Sequence, residues 1–151
     1  MEERIREDFC GSMEQILNLK EIDIRTYSPL TLAYIGDGVY ELIIRSFVVN
    51  QGNTQVNKLH RHVSGIVKAE TQSRLAGVLE EFLTEEEMSF YKRGRNAKSY
   101  TSAKNASIQD YRRATGFEAL VGYLYLTGQH TRLMELMNIC LKELGEKTDE
   151  I

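Results

Sequence analysis

SPLTLAYIGDGVYELIIRSFVVN, from Ser28 to Asn50, carries the strongest structural signal in this chain of 151 residues. Ser28 followed by Pro29 predicts the start of a helix, because a serine hydroxyl caps free backbone N–H groups and proline fits the first helical position. Apolar residues then leave only a thin polar stripe, which is typical of a helix in a protein core or at a subunit interface. We therefore predict a long helix that is buried on nearly every side.

An acidic residue, Asp37, lies at the centre of this apolar segment. A buried carboxylate costs several kcal/mol unless it is paired, hydrogen-bonded or bound to a cation. Gly36 and Gly38 flank it, and each glycine costs about 1 kcal/mol relative to alanine inside a helix. The segment therefore indicates a special role for Asp37 and a close approach of another part of the chain to the helix backbone.

A second acidic residue in an apolar setting is Glu118, within ATGFEALVGYLYL. Small residues on this segment predict a smooth helix face; they are Ala114, Gly116, Ala119 and Gly122. We predict that this face meets the smooth face near Gly36 and brings Asp37 and Glu118 together. Two facing carboxylates repel unless they share a proton or a divalent cation, so the pair indicates a metal site. The alternative is that Asp37 forms a salt bridge and Glu118 is a solvated acid.

The rest of the chain also predicts helices. It contains one proline and no tryptophan, and no pair of alternating segments is joined by a hairpin signal, so the predicted class is all-α. Glycine or capping residues separate the predicted helices, which run from Phe9 to Leu19, from a cap at Thr54 to Val63, from Ile66 to Leu83 after a break at Gly65, from a cap at Thr84 to Arg93, from Ser107 to Thr127, and from His130 to Leu144. A polar loop is predicted from Gly94 to Ala106.

Length and composition predict one domain, since 151 residues with 42% apolar content form one sizeable core. No apolar segment has the length of a membrane span or the position of a signal peptide, so we expect a cytosolic protein. Cys10 and Cys140 show no metal or redox spacing, and a reducing compartment would keep both as free thiols.

A local cationic segment, KRGRNAKSYTSAK from Lys92 to Lys104, stands out in a chain whose formal charge is −3. It holds five basic residues and no acidic one, which suits phosphate oxygens. The predicted nucleic-acid contacts are Lys92, Arg93, Arg95, Asn96, Lys98, Lys104 and Asn105, extended by Arg112 and Arg113. The alternative is a solvated charged surface, which is our interpretation of the smaller cluster of Lys58, His60, Arg61 and His62.

These residues carry a family resemblance. The segment from Leu32 to Val39, LAYIGDGV, resembles the ribonuclease III signature, and TGFEALVG from Thr115 to Gly122 resembles that family's second acidic motif, in the same order and at a matching separation. The chain is closer still to Mini-III, the bacterial branch that has the catalytic domain without a double-stranded-RNA-binding domain. RGRNA from Arg93 to Ala97, Lys104-Asn105, and YRRATGFEAL from Tyr111 to Leu120 look like markers of that branch. The resemblance covers about Tyr27 to Leu144.

The resemblance implies a single ribonuclease III-like catalytic domain over residues 1–151, with an all-α fold of about seven helices. It implies a Mg²⁺-dependent endoribonuclease, with Mn²⁺ as a substitute, that cuts double-stranded RNA as a homodimer and leaves 5′-phosphate ends. Asp37 and Glu118 would be both the catalytic residues and the metal ligands. For Mini-III the implied substrate is the precursor of large-subunit (23S) ribosomal RNA, and it stays open whether a ribosomal protein presents that substrate.

The sequence departs from full-length ribonuclease III at three acidic positions, which Leu30, Ala33 and Thr115 occupy here. Mini-III shares this sparser set, so the number of metal ions per site stays open. One alternative function is a catalytically silent ribonuclease III-like RNA-binding protein of a ribonucleoprotein, although both acids are retained. Another is a helical phosphohydrolase, which would need more histidine and aspartate ligands than this chain supplies.

Overall fold

A computed structural model describes residues 7–97 and 107–146, and the regular secondary structure of this part of the chain is entirely helical. The all-α prediction with about seven helices is therefore confirmed. Seven α-helices follow one another: α1 (Phe9–Ile16), α2 (Pro29–Asn50), α3 (Val56–Val67), α4 (Ala69–Leu79), α5 (Glu85–Arg95), α6 (Ile108–Leu126) and α7 (His130–Glu143). Two short 3₁₀ helices, Ile24–Thr26 and Glu80–Phe82, precede α2 and follow α4.

Helices α2 and α6 form the centre of the fold. Helix α6 is buried along most of its length and packs against α2, α4, α5 and α7. The Tyr40 ring of α2 meets the Phe117 ring of α6 edge to face, with 4.9 Å between the ring centroids, and the Tyr40 hydroxyl donates to the carbonyl oxygen of Ile66. The acids singled out in the sequence thus lie on the two helices that organise the core.

Predicted helix starts are confirmed where a hydroxyl side chain caps the helix. Ser28 accepts from the Thr31 N–H, and Ser107 accepts from the Asp110 N–H. Thr84 and Glu87 form a reciprocal capping box at the start of α5. Glu87 also accepts from Arg132 of α7, which ties the start of α5 to the last helix.

The predicted boundary between α3 and α4 is wrong. Helix α3 follows Gln55 rather than Thr54, contains Gly65, and ends at Val67, while Lys68 takes an extended conformation before α4. Side chains of α4 donate to the Gly65 and Val67 carbonyls at this end of α3, and the Tyr40 hydroxyl of α2 donates to that of Ile66. Because those bonds are tertiary, the local glycine signal does not show where the helix ends.

Two further boundaries differ from prediction. Helix α4 ends at Leu79, and the next residues form the 3₁₀ helix. Helix α5 extends to Arg95, so the start of the predicted Gly94–Ala106 loop is helical, and residues 98–106 lie outside the described part of the chain. Gly94 allows this because it packs tightly against α6, where an added methyl carbon would lie 2.6 Å from the Ala119 Cβ.

The prediction that α2 is buried on nearly every side is wrong for the single chain. Tyr34 is 82% exposed, and Leu42 and Val49 are also exposed. The apolar residues of α2 thus divide into a core-facing set and an outward set, which agrees with the subunit-interface alternative.

Both cysteines are free thiols, as predicted. Cys140 is buried, and this burial raises the pKa of its thiol to about 12, which makes it unreactive. Within the described ranges, no helix combines the length and apolarity needed to cross a membrane.

Candidate active site

The site is built at a crossing of α2 and α6 where the two backbones touch. A methyl carbon added at Gly36 would lie 1.8 Å from the carbonyl oxygen of Glu118, and one added at Gly122 would lie 2.0 Å from the carbonyl oxygen of Leu32. Any side chain at either position would force the helices apart. The predicted contact between smooth helix faces is therefore confirmed at Gly36 and Gly122.

Two other glycines do not have the predicted role at this crossing. Gly38 has nothing within 4 Å of its would-be Cβ in the described structure, so no other segment approaches it there. Gly116 faces α5 instead of α2, and its would-be Cβ lies 2.7 Å from the Tyr91 carbonyl oxygen. Helix α6 is smooth on two sides because it packs closely against two neighbours.

The crossing brings Asp37 and Glu118 together as predicted, close enough for the Asp37 carboxyl group to raise the pKa of Glu118. The expected burial of Asp37 is wrong: its side chain is exposed, whereas Glu118 is half-buried. Asp37 lies on the outward side of the helix beside the exposed Tyr34. The pair thus joins one solvent-facing carboxyl group to one held in the fold.

The electrostatics of the pair favour binding of a proton or a cation. Burial, followed by the hydrogen bond with Asp37 and the charge of Asp37, raises the pKa of Glu118 to about 8, against an opposing hydrogen bond from Gln72. A divalent cation between the carboxyl groups would replace the proton and remove the repulsion between two carboxylates.

The donor set fits Mg²⁺. Magnesium prefers oxygen ligands and is bound in many sites by one or two carboxylates, with water completing its coordination. Asp37 and Glu118 supply two carboxylates, and no cluster of three or more His, Cys, Asp or Glu suited to a metal occurs in the described residues. This agrees with the sparse set of acids seen in the sequence.

A residue that the sequence analysis missed is Gln72, in the first turn of α4. Its side chain is buried, and its Nε2 donates to the Val67 carbonyl oxygen at 2.8 Å and to Glu118 Oε2 at 3.5 Å. Gln72 lies in a polar run with Thr71 and Ser73, which is typical of a solvated helix face, yet all three are buried. No local signal in the sequence distinguishes this run from surface.

The predicted RNA-contacting residues fall into two groups. One open cleft of about 590 Å³ is lined by Arg95, Asn96, Arg112 and Arg113, together with Glu80, Ile108 and Gln109. Lys92 and Arg93 line a neighbouring groove along α5, which Asn96 also reaches. Lys98, Lys104 and Asn105 lie outside the described residues.

Arg93 also has an internal contact. Its Nη2 donates to the Tyr27 carbonyl oxygen at 3.2 Å, and its guanidinium lies over the Phe90 ring. Arg112 is exposed, whereas Arg113 is half-buried and packs over Gly77 of α4. Arg95 is half-buried as well, with its guanidinium over the Tyr91 ring, so Arg112 is the most accessible arginine of these four and Arg95 is its neighbour in the cleft.

The smaller basic cluster on α3 lies at the surface, as predicted. Lys58, His60 and Arg61 are exposed. His62 is half-buried and pairs with Glu146, which follows α7.

Comparisons with known proteins agree with the geometry. The ribonuclease III domain family matches residues 30–129. A Mini-ribonuclease 3 from Clostridium tetani is 52% identical over 127 residues, which cover 83% of this chain and 84% of that protein. A Mini-ribonuclease 3 from Enterococcus faecalis is 51% identical over 85% of this chain and 98% of its own length. A crystal structure of a protein from Fusobacterium nucleatum superposes with a TM-score of 0.74 at 32% identity, covering 82% of this chain and 98% of that one.

Proposed function

Because the chain belongs to the Mini-ribonuclease 3 family of ribonuclease III-domain endoribonucleases, we propose that it cleaves double-stranded RNA with Mg²⁺ held by Asp37 and Glu118. The observation that supports this most strongly is the approach of the two carboxyl groups to each other at the glycine crossing of α2 and α6. Mn²⁺, which accepts the same oxygen donors, would substitute for Mg²⁺.

The two acids would have different parts in the reaction. Asp37 is exposed and is positioned to reach a cation that also contacts the substrate, while Glu118 is held by the packed backbone of α6. When bound, the cation would lower the pKa of a water and neutralise charge on the reacting phosphate. Hydrolysis would break the P–O3′ bond, leaving a 5′-phosphate on one fragment and, once the leaving oxygen takes a proton from solvent, a 3′-hydroxyl on the other.

The substrate that we propose is the precursor of large-subunit (23S) ribosomal RNA, which would place the enzyme in the cytoplasm. Phosphate contacts would come from the catalytic domain itself, through the cleft lined by Arg95, Asn96, Arg112 and Arg113. A-form RNA shows its sequence poorly to proteins, so we expect recognition of duplex shape more than of base identity. A ribosomal protein that presents the precursor would add the specificity that shape recognition lacks.

We also propose that the enzyme is a homodimer. Exposed apolar residues form a stripe along α2, at Leu30, Tyr34, Leu42 and Val49, and Gly38 lies open between Tyr34 and Leu42. A two-fold contact would bury this stripe on both copies. Asp37 borders the stripe, so the active site would lie at the edge of the interface.

One gel assay tests the central proposal. The purified protein is incubated with a long RNA duplex, with Mg²⁺ or with EDTA, and the products are probed for 5′-phosphate ends. We expect cleavage only with Mg²⁺. Retention of the intact duplex by a gel shift in the presence of Mg²⁺, without cleavage, would favour the silent RNA-binding alternative.

A further inference from the structure

Gln72 is a buried amide between a helix end and the active site. It is only 2% exposed. Its Nε2 has two acceptors, the Val67 carbonyl oxygen at the end of α3 and Oε2 of Glu118 on α6. One side chain of α4 therefore links the α3–α4 break to a catalytic carboxyl group.

The orientation of this amide follows from its neighbours. Rotating the group by 180° would set its oxygen against two acceptor oxygens, so the N–H groups must face them. In this orientation Gln72 Oε1 is buried and has no hydrogen-bond partner among the described residues. Buried polar atoms without a partner are rare, and an apolar side chain would avoid this one.

The hydrogen bond to the end of α3 does not by itself explain why a glutamine occupies this position. The adjacent Thr71 already donates from its hydroxyl to the Gly65 carbonyl oxygen at 2.7 Å, which ties α4 to the same end of α3. What Gln72 adds, and Thr71 lacks, is the contact with Glu118.

We propose that Gln72 is a positioning residue for RNA cleavage, whose Nε2 holds the Glu118 carboxylate in the orientation that shares a divalent cation with Asp37. This inference rests on the proposed function. A glutamate side chain has three rotatable bonds, and when both carboxyl groups are ionised, repulsion from Asp37 favours rotamers that turn Glu118 away. A buried donor fixed at Oε2 opposes that rotation, as hydrogen bonds to metal-ligating carboxylates do in other metal sites.

The test compares Gln72→Met with Thr71→Val. Both variants lose a side-chain hydrogen bond to the end of α3, but only Gln72→Met loses the donor to Glu118. Calorimetry of the RNA-free protein measures Mn²⁺ affinity, and steady-state cleavage of an RNA duplex gives kcat and KM. We expect Gln72→Met to weaken Mn²⁺ binding and lower kcat, each by about 10-fold, with KM unchanged. Thr71→Val should stay within about twofold of the wild type in both.

Two results would overturn the proposal. One is wild-type Mn²⁺ affinity and kcat in Gln72→Met, and the other is an equal loss in Thr71→Val, which would assign the effect to the α3–α4 link. If Gln72→Met does not fold by circular dichroism, Gln72→Leu removes the same donor and has the same expected result. Failure of the wild type to bind Mn²⁺ or to cleave RNA would instead refute the proposed function.

Discussion

Asp37 and Glu118 differ in exposure, and this difference shows what each residue contributes. Asp37 faces solvent and contributes little to packing. Glu118 is half-buried, but glutamine has nearly the same shape and can occupy the same space. Removing either charge should therefore disable the site and leave the fold intact. The amide replacements have nearly the same volume as the acids, so no cavity forms.

Asp37→Asn and Glu118→Gln should each reduce duplex cleavage by at least about 1,000-fold, because each removes a proposed ligand of the cation that stabilises the reacting phosphate. Gel-shift affinity for the duplex should change little. Glu41→Gln, one turn further along α2, is the matched control and should retain cleavage. Full Mg²⁺-dependent cleavage by either active-site variant would refute the assignment of these residues.

The pKa of Glu118 predicts a pH dependence of stability in EDTA. An acid whose pKa rises from 4.5 to about 8 on folding stabilises the fold fully below 4.5, and this contribution is lost as the pH rises towards about 8. Relative to Glu118→Gln, the wild type should therefore lose thermal stability between pH 5 and pH 8.5. Each loss of about 1 kcal/mol in the free energy of unfolding lowers Tm by about 2–4 °C for a protein of this size. A Tm difference between the two proteins that is the same at both pH values would contradict this.

At the scale of helices, the crossing of α2 and α6 is the most constrained contact. Gly36→Ala should lower the free energy of unfolding by about 3 kcal/mol or more, because the new methyl group meets backbone that has no room to move. Gly65→Ala is the matched control, since Gly65 also lies within a helix but has nothing within 4 Å. We expect that variant to gain about 1 kcal/mol from helix propensity. Urea unfolding measures both, and equal stability of the two variants would contradict the close contact.

The same crossing shows which features of the fold can be predicted from the sequence. Capping hydroxyls and small residues act locally, so the helix starts at Ser28, Thr84 and Ser107 and the meeting of Asp37 with Glu118 could be predicted. The α3–α4 break could not, because α4 side chains stabilise it from outside α3. Gln72 was missed for the same reason: its burial depends on helices distant in sequence.

At the scale of the whole molecule, a net negative chain must concentrate positive charge where RNA binds. Arg95→Ala combined with Arg112→Ala should weaken duplex binding and reduce the slope of log affinity against log salt by about 2. Each phosphate contact releases about one counterion on binding, and this variant loses two such contacts. Lys58→Ala with Arg61→Ala removes the same charge from exposed positions on α3 and should leave the slope unchanged. Fluorescence titrations at several salt concentrations measure this. The reverse result would place the duplex on α3.

The outward face of α2 leads to a prediction about assembly. A charge on the apolar stripe should oppose association, because a two-fold contact would bury that charge and its copy together. Leu42→Asp should therefore shift the protein from dimer to monomer in light scattering at micromolar concentration. Val56→Asp, at an even more exposed apolar position at the start of α3, is the control and should remain dimeric. A wild-type monomer with full activity would refute the dimer, and a dimeric Leu42→Asp would place the interface away from this stripe.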